Sequence, residues 1–211
     1  MARPDTGTRQ KLIDTATDLL WTSSYGAVSV DDICNTADVK KGSFYHYFTS
    51  KLELATTAME EYYEAYVRPD MEDIFSEKRD FASQIAALAD SIVEEQHEVR
   101  NRYGLVCGCP MAALASEMIG EENASIAAKI EEMFDNCKGY IRAAIAKANA
   151  NGTIHIPDVD AKTEEIHDFI TELMIMARIH NNLDGLERDL RPGLIRILGL
   201  DEASPKTLKT A

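Results

Sequence analysis

YGAVSVDDICNTADVKKGSFYHYFTSK, residues 25–51, holds two short amphipathic segments joined by a tight turn, and the second turns aromatic, hydroxyl and cationic side chains outward. Ser29 is a good N-cap for the first segment, with Asp31 and Asp32 suited to the positive end of a helix. Val30, Ile33, Cys34 and Ala37 then share one face. Asp38 tolerates the left-handed conformation a turn needs, and Val39 can plug the angle between two helices. From Lys40 the second segment sets Phe44 and Phe48 four residues apart, on a side that faces inward. At about 100° per residue, Gly42, Ser43, Tyr45 and His46 then point outward, with Lys41 and Tyr47 at the margins. This is a helix-turn-helix layout, and the outward groups suit a DNA major groove. Lysine can donate to guanine or phosphate, serine and histidine can reach base edges or backbone, and tyrosine adds a flat ring with a polar tip. Glycine inside a helix costs about 1 kcal/mol relative to alanine, a cost that close approach of backbone to DNA would justify at Gly42. Lys51 opens the next helix, where its ammonium can clamp a phosphate. An ordinary three-helix subdomain with an aromatic core accounts for fewer of these positions.

The same residues resemble the TetR family of bacterial transcription regulators. The likeness runs through Tyr25-Gly26, Ser29-Val30, Asp32-Ile33, Ala37, Val39, Lys41-Gly42, Phe44-Tyr45, Tyr47-Phe48 and Ser50-Lys51. The resemblance implies base and backbone contacts at Lys41, Gly42, Ser43, Tyr45, His46 and Tyr47, with Lys51 on a phosphate. Two positions depart from the family pattern: Asp38 stands where glycine is usual, and Lys40 where serine or threonine usually caps the recognition helix. Lys40 thereby becomes an extra candidate for phosphate contact.

Net charge is -14, with 22 Lys and Arg against 36 Asp and Glu, which as a bulk property argues against nucleic acid. Residues 1–51 nevertheless hold six of each sign, so the whole deficit lies beyond the helix-turn-helix. Arg3, Arg9, Lys40, Lys41 and Lys51 supply local cations. No apolar run reaches the ~18 residues of a spanning helix, and MARPDTGTRQ lacks a signal-peptide core, so a cytoplasmic protein with no membrane partner is expected. In that compartment Cys34, Cys107, Cys109 and Cys137 form no structural disulfide framework. The tails MARPDTG and SPKTLKTA read as frayed.

Periodicity predicts an all-α chain of about nine helices, divided into a DNA-binding domain over residues 6–66 and an effector-binding and dimerisation domain over residues 67–203. Helices are expected over 8–24 and in the two segments above. Further helices are expected from 51 towards 68, with Pro69 ending or kinking the last, and near 79–103, 110–119, 122–150, 160–183 and 186–199. A short helical turn near 71–75 is also expected.

Ile166, Phe169, Ile170, Leu173, Met174 and Ala177 make one apolar stripe, Ile175, Met176, Ile179 and Leu183 widen it, and Leu190, Leu194, Ile197 and Leu198 make another. Helices so apolar are buried on more than one side, either within one subunit or against a second copy. The TetR resemblance implies the second, a four-helix homodimer interface, with Ile166, Ile170, Leu173, Met176, Leu194, Ile197 and Leu198 as its candidates. Two recognition helices ~34–36 Å apart then read a palindrome. The family also implies a small-molecule pocket. Met59, Tyr62, Tyr66, Met111, Met118, Met133, Phe134, Phe169 and Met174 could line it, although such residues more often serve as ordinary core than as ligand contacts.

VCGCPMAALASE, residues 106–117, sets Cys109 and Pro110 at a helix start, where free N–H groups favour a thiolate. The glycine-cysteine pair resembles a TetR subgroup that detects electrophiles or oxidants at this place, which implies a sensor at Cys109 with Cys107 or Cys137 as partner. Against that, a free cysteine often serves as a small hydrophobe. A metal site on Cys107, Cys109 and His97 lacks a fourth ligand, and neither metal nor cofactor is expected. An all-helical enzyme with Cys109 as nucleophile and His97, His155, His167 or His180 as base leaves the first 51 residues unexplained. A DNA-binding activator keeps the reading head and changes only the outcome at a promoter. The sequence therefore points to a repressor released by a ligand or by thiol modification, and not to an enzyme.

Overall fold

The computed structural model describes residues 7–118, 120 and 123–200; Arg3, all of the expected tails but Gly7, the outer domain limits at 6 and 203, and the helix start at 122 lie outside them. Ten α-helical segments carry the described chain: α1 (Thr8–Thr22), α2 (Val30–Thr36), α3 (Lys41–Tyr47), α4 (Lys51–Tyr62), α5 (Arg68–Ile74), α6 (Phe81–Tyr103), α7 (Pro110–Ala115), α8 (Ala124–Ala150), α9 (Val159–His180) and α10 (Asp184–Leu198). Between α4 and α5 the residues Tyr63–Val67 form a π turn, so helical hydrogen bonding is unbroken from Lys51 to Ile74. Counted as one, that run leaves nine helices among the described residues, which show no strand.

Of the two outcomes expected at Pro69, an end or a kink, the run does not end there. The Arg68 N–H reaches back five residues to the Tyr63 carbonyl, which widens the turn just before the residue that has no N–H to give.

By compactness the chain forms two units that are not consecutive segments. One comprises the chain up to Arg68 together with Cys109–Phe134; the other comprises Pro69–Gly108 and the chain from Asp135 onward.

In the first unit α1 packs on α2, α3, α4 and α7. Leu12, Ile13, Ala16, Ile33, Phe44, Leu54 and Met59 are almost wholly buried there, as the apolar faces of each helix require. Trp21 on α1 meets Tyr62 edge-on at 5.3 Å between ring centres, and Tyr62 meets Tyr66 at 5.5 Å, so three rings form a ladder ending at the exposed Tyr66.

α2 starts with a reciprocal cap. The Asp32 N–H donates to Ser29 Oγ at 3.1 Å, and the Ser29 N–H donates to Asp32 Oδ2 at 2.9 Å. Hydrogen bonds from Ser29 also hold the Asp32 carboxyl below its ordinary pKa, so the cap is intact at neutral pH and is lost as pH falls through that lowered value. Ser29→Ala is expected to cost about 1 kcal/mol, read as a fall of about 2–4 °C in Tm by calorimetry; an unchanged Tm would show that the cap contributes nothing.

In the second unit α10 lies on both α9 and α6. Leu186, Leu190, Leu194 and Leu198, spaced by four, turn one stripe of α10 inward, where Gly193 leaves room for the Phe169 ring: a Cβ there would lie 2.2 Å from Phe169 Cζ. Ile166 and Leu194 have no exposed surface and Leu198 has 3%. These three are therefore core, not the outer association face expected of them, because the leucine stripe of α10 covers the inward face of α9. The large apolar residues that α9 leaves exposed are Ile175, Met176 and Ile179, with Ile170 and Leu173 of α9 and Ile197 of α10 partly covered.

Candidate nucleic-acid interface

The turn between α2 and α3 is made by Asp38, whose φ of 52° is left-handed, and it is closed by a 2.9 Å bond from the Val39 N–H to the Cys34 carbonyl. Lys40 stands at the N-cap of α3 without a side-chain cap bond. Phe44 and Phe48 are buried, their rings 6.1 Å apart, and they anchor α3 to the helices beneath. Lys40, Lys41, Gly42, Tyr45 and His46 are exposed, Ser43 and Tyr47 half-buried, and Tyr45 is 54% exposed. An added Cβ at Gly42 would meet nothing within 4 Å, so its missing side chain answers no internal crowding.

The cations are not equivalent. Lys41 Nζ lies 2.8 Å from Asp31 on α2, an exposed pair that raises the lysine pKa. Arg9 bonds Glu61 at 2.8 Å, with its guanidinium over the Phe48 ring. Lys51 turns inward, which sequence spacing could not reveal: its Nζ donates to the Tyr25 and Val28 carbonyls at 2.7 and 2.8 Å and sits 3.9 Å from the centre of the Tyr25 ring. Burial lowers its pKa. In this geometry Lys51 braces the turn between α1 and α2.

Sequence reasoning missed one residue at that turn. Glu117, two residues past the end of α7, accepts the Tyr25 N–H at 2.9 Å on Oε1 and the Gly26 N–H at 2.8 Å on Oε2. A separation of 91–92 residues leaves no local signal of such a contact.

Cys109 is the N-cap of α7, with Pro110 behind it, and Sγ accepts the Ala112 N–H at 3.4 Å. The residue is partly exposed. Cys107 is buried, and burial pushes its thiol pKa up against the opposing pull of Arg178. Its backbone is held too: Arg178 donates to the Cys107 carbonyl at 2.7 Å, and the Gly108 N–H donates to the wholly buried Gln96 at 2.9 Å. Gly108 has φ 64°, and a Cβ there would come 2.8 Å from the Met174 carbonyl oxygen. Cys137 is partly exposed on α8.

The residues expected around an effector cavity are drawn from both compact units. Met59, Tyr62, Tyr66, Met111, Met118, Met133 and Phe134 belong to the first unit; Phe169 and Met174 belong to the second. Tyr66 is 66% exposed, whereas Met59, Met111, Met118, Met133 and Met174 are core. An open recess of about 400 Å³ between α6 and α10 is lined by Ala89, Asp90, Val93, Glu94, His97, Glu187 and Arg191, none of them among the expected residues. His97 pairs there with Glu187 at 2.9 Å, and Arg191 with Asp90 at 3.4 Å. Among the described residues no group of three or more His, Cys, Asp and Glu could hold a metal ion, and no helix is long and apolar enough to cross a membrane.

Residues 12–58 match the family model described as bacterial regulatory proteins, tetR family, and residues 83–191 match the tetracyclin repressor-like C-terminal domain. The HTH-type transcriptional repressor NemR of Escherichia coli (strain K12) is 28% identical over 111 residues, which cover 53% of this chain and 54% of NemR. The transcriptional regulator AcuR of Cereibacter sphaeroides is 32% identical over 111 residues, 52% of this chain and 48% of AcuR. The matched stretch thus spans about half the length of these curated relatives. The crystal structure of the reduced form of E. coli NemR superposes with a TM-score of 0.74 at 20% identity, covering 95% of this chain and 100% of that one. A TetR-family regulator from Agrobacterium tumefaciens superposes with a TM-score of 0.78 at 20% identity, covering 91% and 98%. At these identities the structural likeness shows the fold.

Proposed function

Because the chain belongs to the TetR family of bacterial regulatory proteins, we propose that it is a DNA-binding transcriptional regulator, a cytoplasmic repressor that holds a palindromic operator as a homodimer. The observation that carries this reading is the outer side of α3. Phe44 and Phe48 fix the helix inward, so Lys41, Gly42, Ser43, Tyr45 and His46 stand opposite, in a rigid row that fits a major groove, with Tyr47 at its edge and Lys40 towards the phosphates. Lys51 braces the turn between α1 and α2 that leads into the helix-turn-helix. By role, residues 6–66 are the reading head and residues 67–203 serve effector binding and pairing, although 109–134 packs with the head. Ile175, Met176 and Ile179, with Ile170, Leu173 and Ile197 beside them, are the apolar surface by which two copies associate. Two α3 helices ~34–36 Å apart then enter successive major grooves.

Release follows from an effector that favours a spacing of the heads unsuited to those grooves. About 1.4 kcal/mol of preference for that state lowers operator affinity tenfold. Cys109 favours a thiol modification as the trigger, since it is partly exposed and its sulfur already accepts a backbone N–H at a helix start, where a thiolate is stabilised. A reversible apolar ligand near Tyr62 and Tyr66 is the second reading, favoured by the exposed Tyr66 ring.

Fluorescence anisotropy on the DNA upstream of the gene, at fixed salt, tests both parts. Binding with Kd of ~10⁻⁸ M or tighter is expected, with release by a mild oxidant and recovery on adding a reductant. Cys109→Ser is expected to abolish the response to oxidant. Binding indifferent to oxidant removes the thiol trigger and leaves the ligand; failure to bind that DNA and any sequence selected from a random pool sinks the regulator itself.

A further inference from the structure

The residues between the caps Ser23 and Ser29 join α1 to the helix-turn-helix outside either helix, so the direction in which α2 and α3 leave α1 depends on what holds this turn. Side chains from distant parts of the first unit hold it. Lys51 donates to the Tyr25 and Val28 carbonyls, and Glu117 accepts the adjacent Tyr25 and Gly26 N–H groups, one on each carboxylate oxygen, at 2.9 and 2.8 Å. Hydrogen bonds to an ionised group are stronger than neutral ones, and a two-oxygen grip on consecutive amides fixes orientation as well as distance. A Cβ added at Gly26 would lie 3.4 Å from Oε2, an ordinary contact, so the grip is set by the backbone N–H groups and not by the absence of a side chain.

We infer that Glu117 is a positioning residue of the reading head, whose carboxylate sets the Tyr25–Gly26 turn and thereby the angle at which α3 is presented to DNA. The inference rests on the DNA-binding function proposed above. It has an electrostatic signature. A carboxylate on a DNA-binding head repels phosphate, so its removal by charge alone strengthens binding, whereas loss of a positioning contact weakens it. Glu117 also touches no phosphate under this inference, so its loss leaves the salt dependence of binding unchanged.

The test uses the full chain, with DNA selected by the wild type, and two variants. Glu117→Gln keeps the shape but can accept on only one atom; Glu117→Asp keeps the charge but shortens the reach by one methylene. Both are expected to bind about tenfold more weakly at temperatures well below their Tm, with an unchanged slope of log K against log salt. In Glu117→Gln the amides of Tyr25 and Gly26 are expected to exchange hydrogen faster. Affinity within twofold of wild type in both variants, tighter binding by Glu117→Gln, or unchanged exchange at both amides overturns the inference. A merely stabilising role would lower Tm and leave the affinity of the folded protein alone, and that result overturns it too. A wild type that binds no DNA sinks the regulator reading and this inference with it; a wild type that binds beside an equally tight Glu117→Gln sinks the inference only.

Discussion

Replacing Lys41 and Tyr45 together by alanine is expected to weaken operator binding at least ~100-fold and to flatten the preference for operator over unrelated DNA. Each good base contact contributes about 1–3 kcal/mol of discrimination, and a dimer loses every contact twice. The Lys41–Asp31 pair does not hold the lysine back, because exposed ion pairs contribute ~0–1 kcal/mol and break readily when a phosphate or guanine competes. Anisotropy titrations at several salt concentrations separate the two roles open to Lys41. A phosphate contact lowers the salt slope by about one per head and affects all sequences alike; a base contact leaves the slope and costs specificity. Unchanged affinity together with unchanged sequence preference would remove α3 as the reading helix.

Phe44→Ala is expected to act on the same helix by another route. Its ring is wholly buried and meets Tyr45 edge-on at 5.1 Å, and deleting such a ring costs about 3–5 kcal/mol. Over some 60 residues a head carries a comparable total, ~3–9 kcal/mol, so its opening should become at least ~100-fold more frequent. Hydrogen exchange should show protection lost from α1 to α4 and retained in α6, α9 and α10. Tyr45→Ala, one residue along but exposed, is expected to change stability by no more than ~0.5 kcal/mol while still weakening DNA binding. If Phe44→Ala keeps full protection of the head, the buried ring is not what holds α3 in place.

The contrast between these neighbours shows what the sequence makes legible. Which face of α3 is apolar follows from the spacing of Phe44 and Phe48, and the structure buries both. Ser29 caps with its own hydroxyl and amide and Asp38 bends its own backbone, so residue type alone anticipated the cap and the left-handed turn. Where a partner comes from far away, local pattern gives no sign of it. Lys51 follows the recognition helix and reads as a phosphate clamp until the Tyr25 and Val28 carbonyls are seen to take its ammonium. Glu117 looks like one acidic residue among many. Ile166, Leu194 and Leu198 lie on stripes as apolar as any interface, and only the packing of α10 on α9 shows that one subunit already uses them. Pro69 reads as a helix end or kink, and which of the two it makes is not legible, because the π turn before it is a property of hydrogen bonding and not of composition.

The ladder of rings from Trp21 through Tyr62 to Tyr66 gives the molecule an optical gauge. The chain has one tryptophan, so all indole emission comes from a point 5.3 Å from the Tyr62 ring. A molecule that settles on Tyr66, or a strain that tilts Tyr62, changes the surroundings of that single fluorophore. The state of the reading head can then be followed in unlabelled protein, in real time, with light near the red edge of its own absorption.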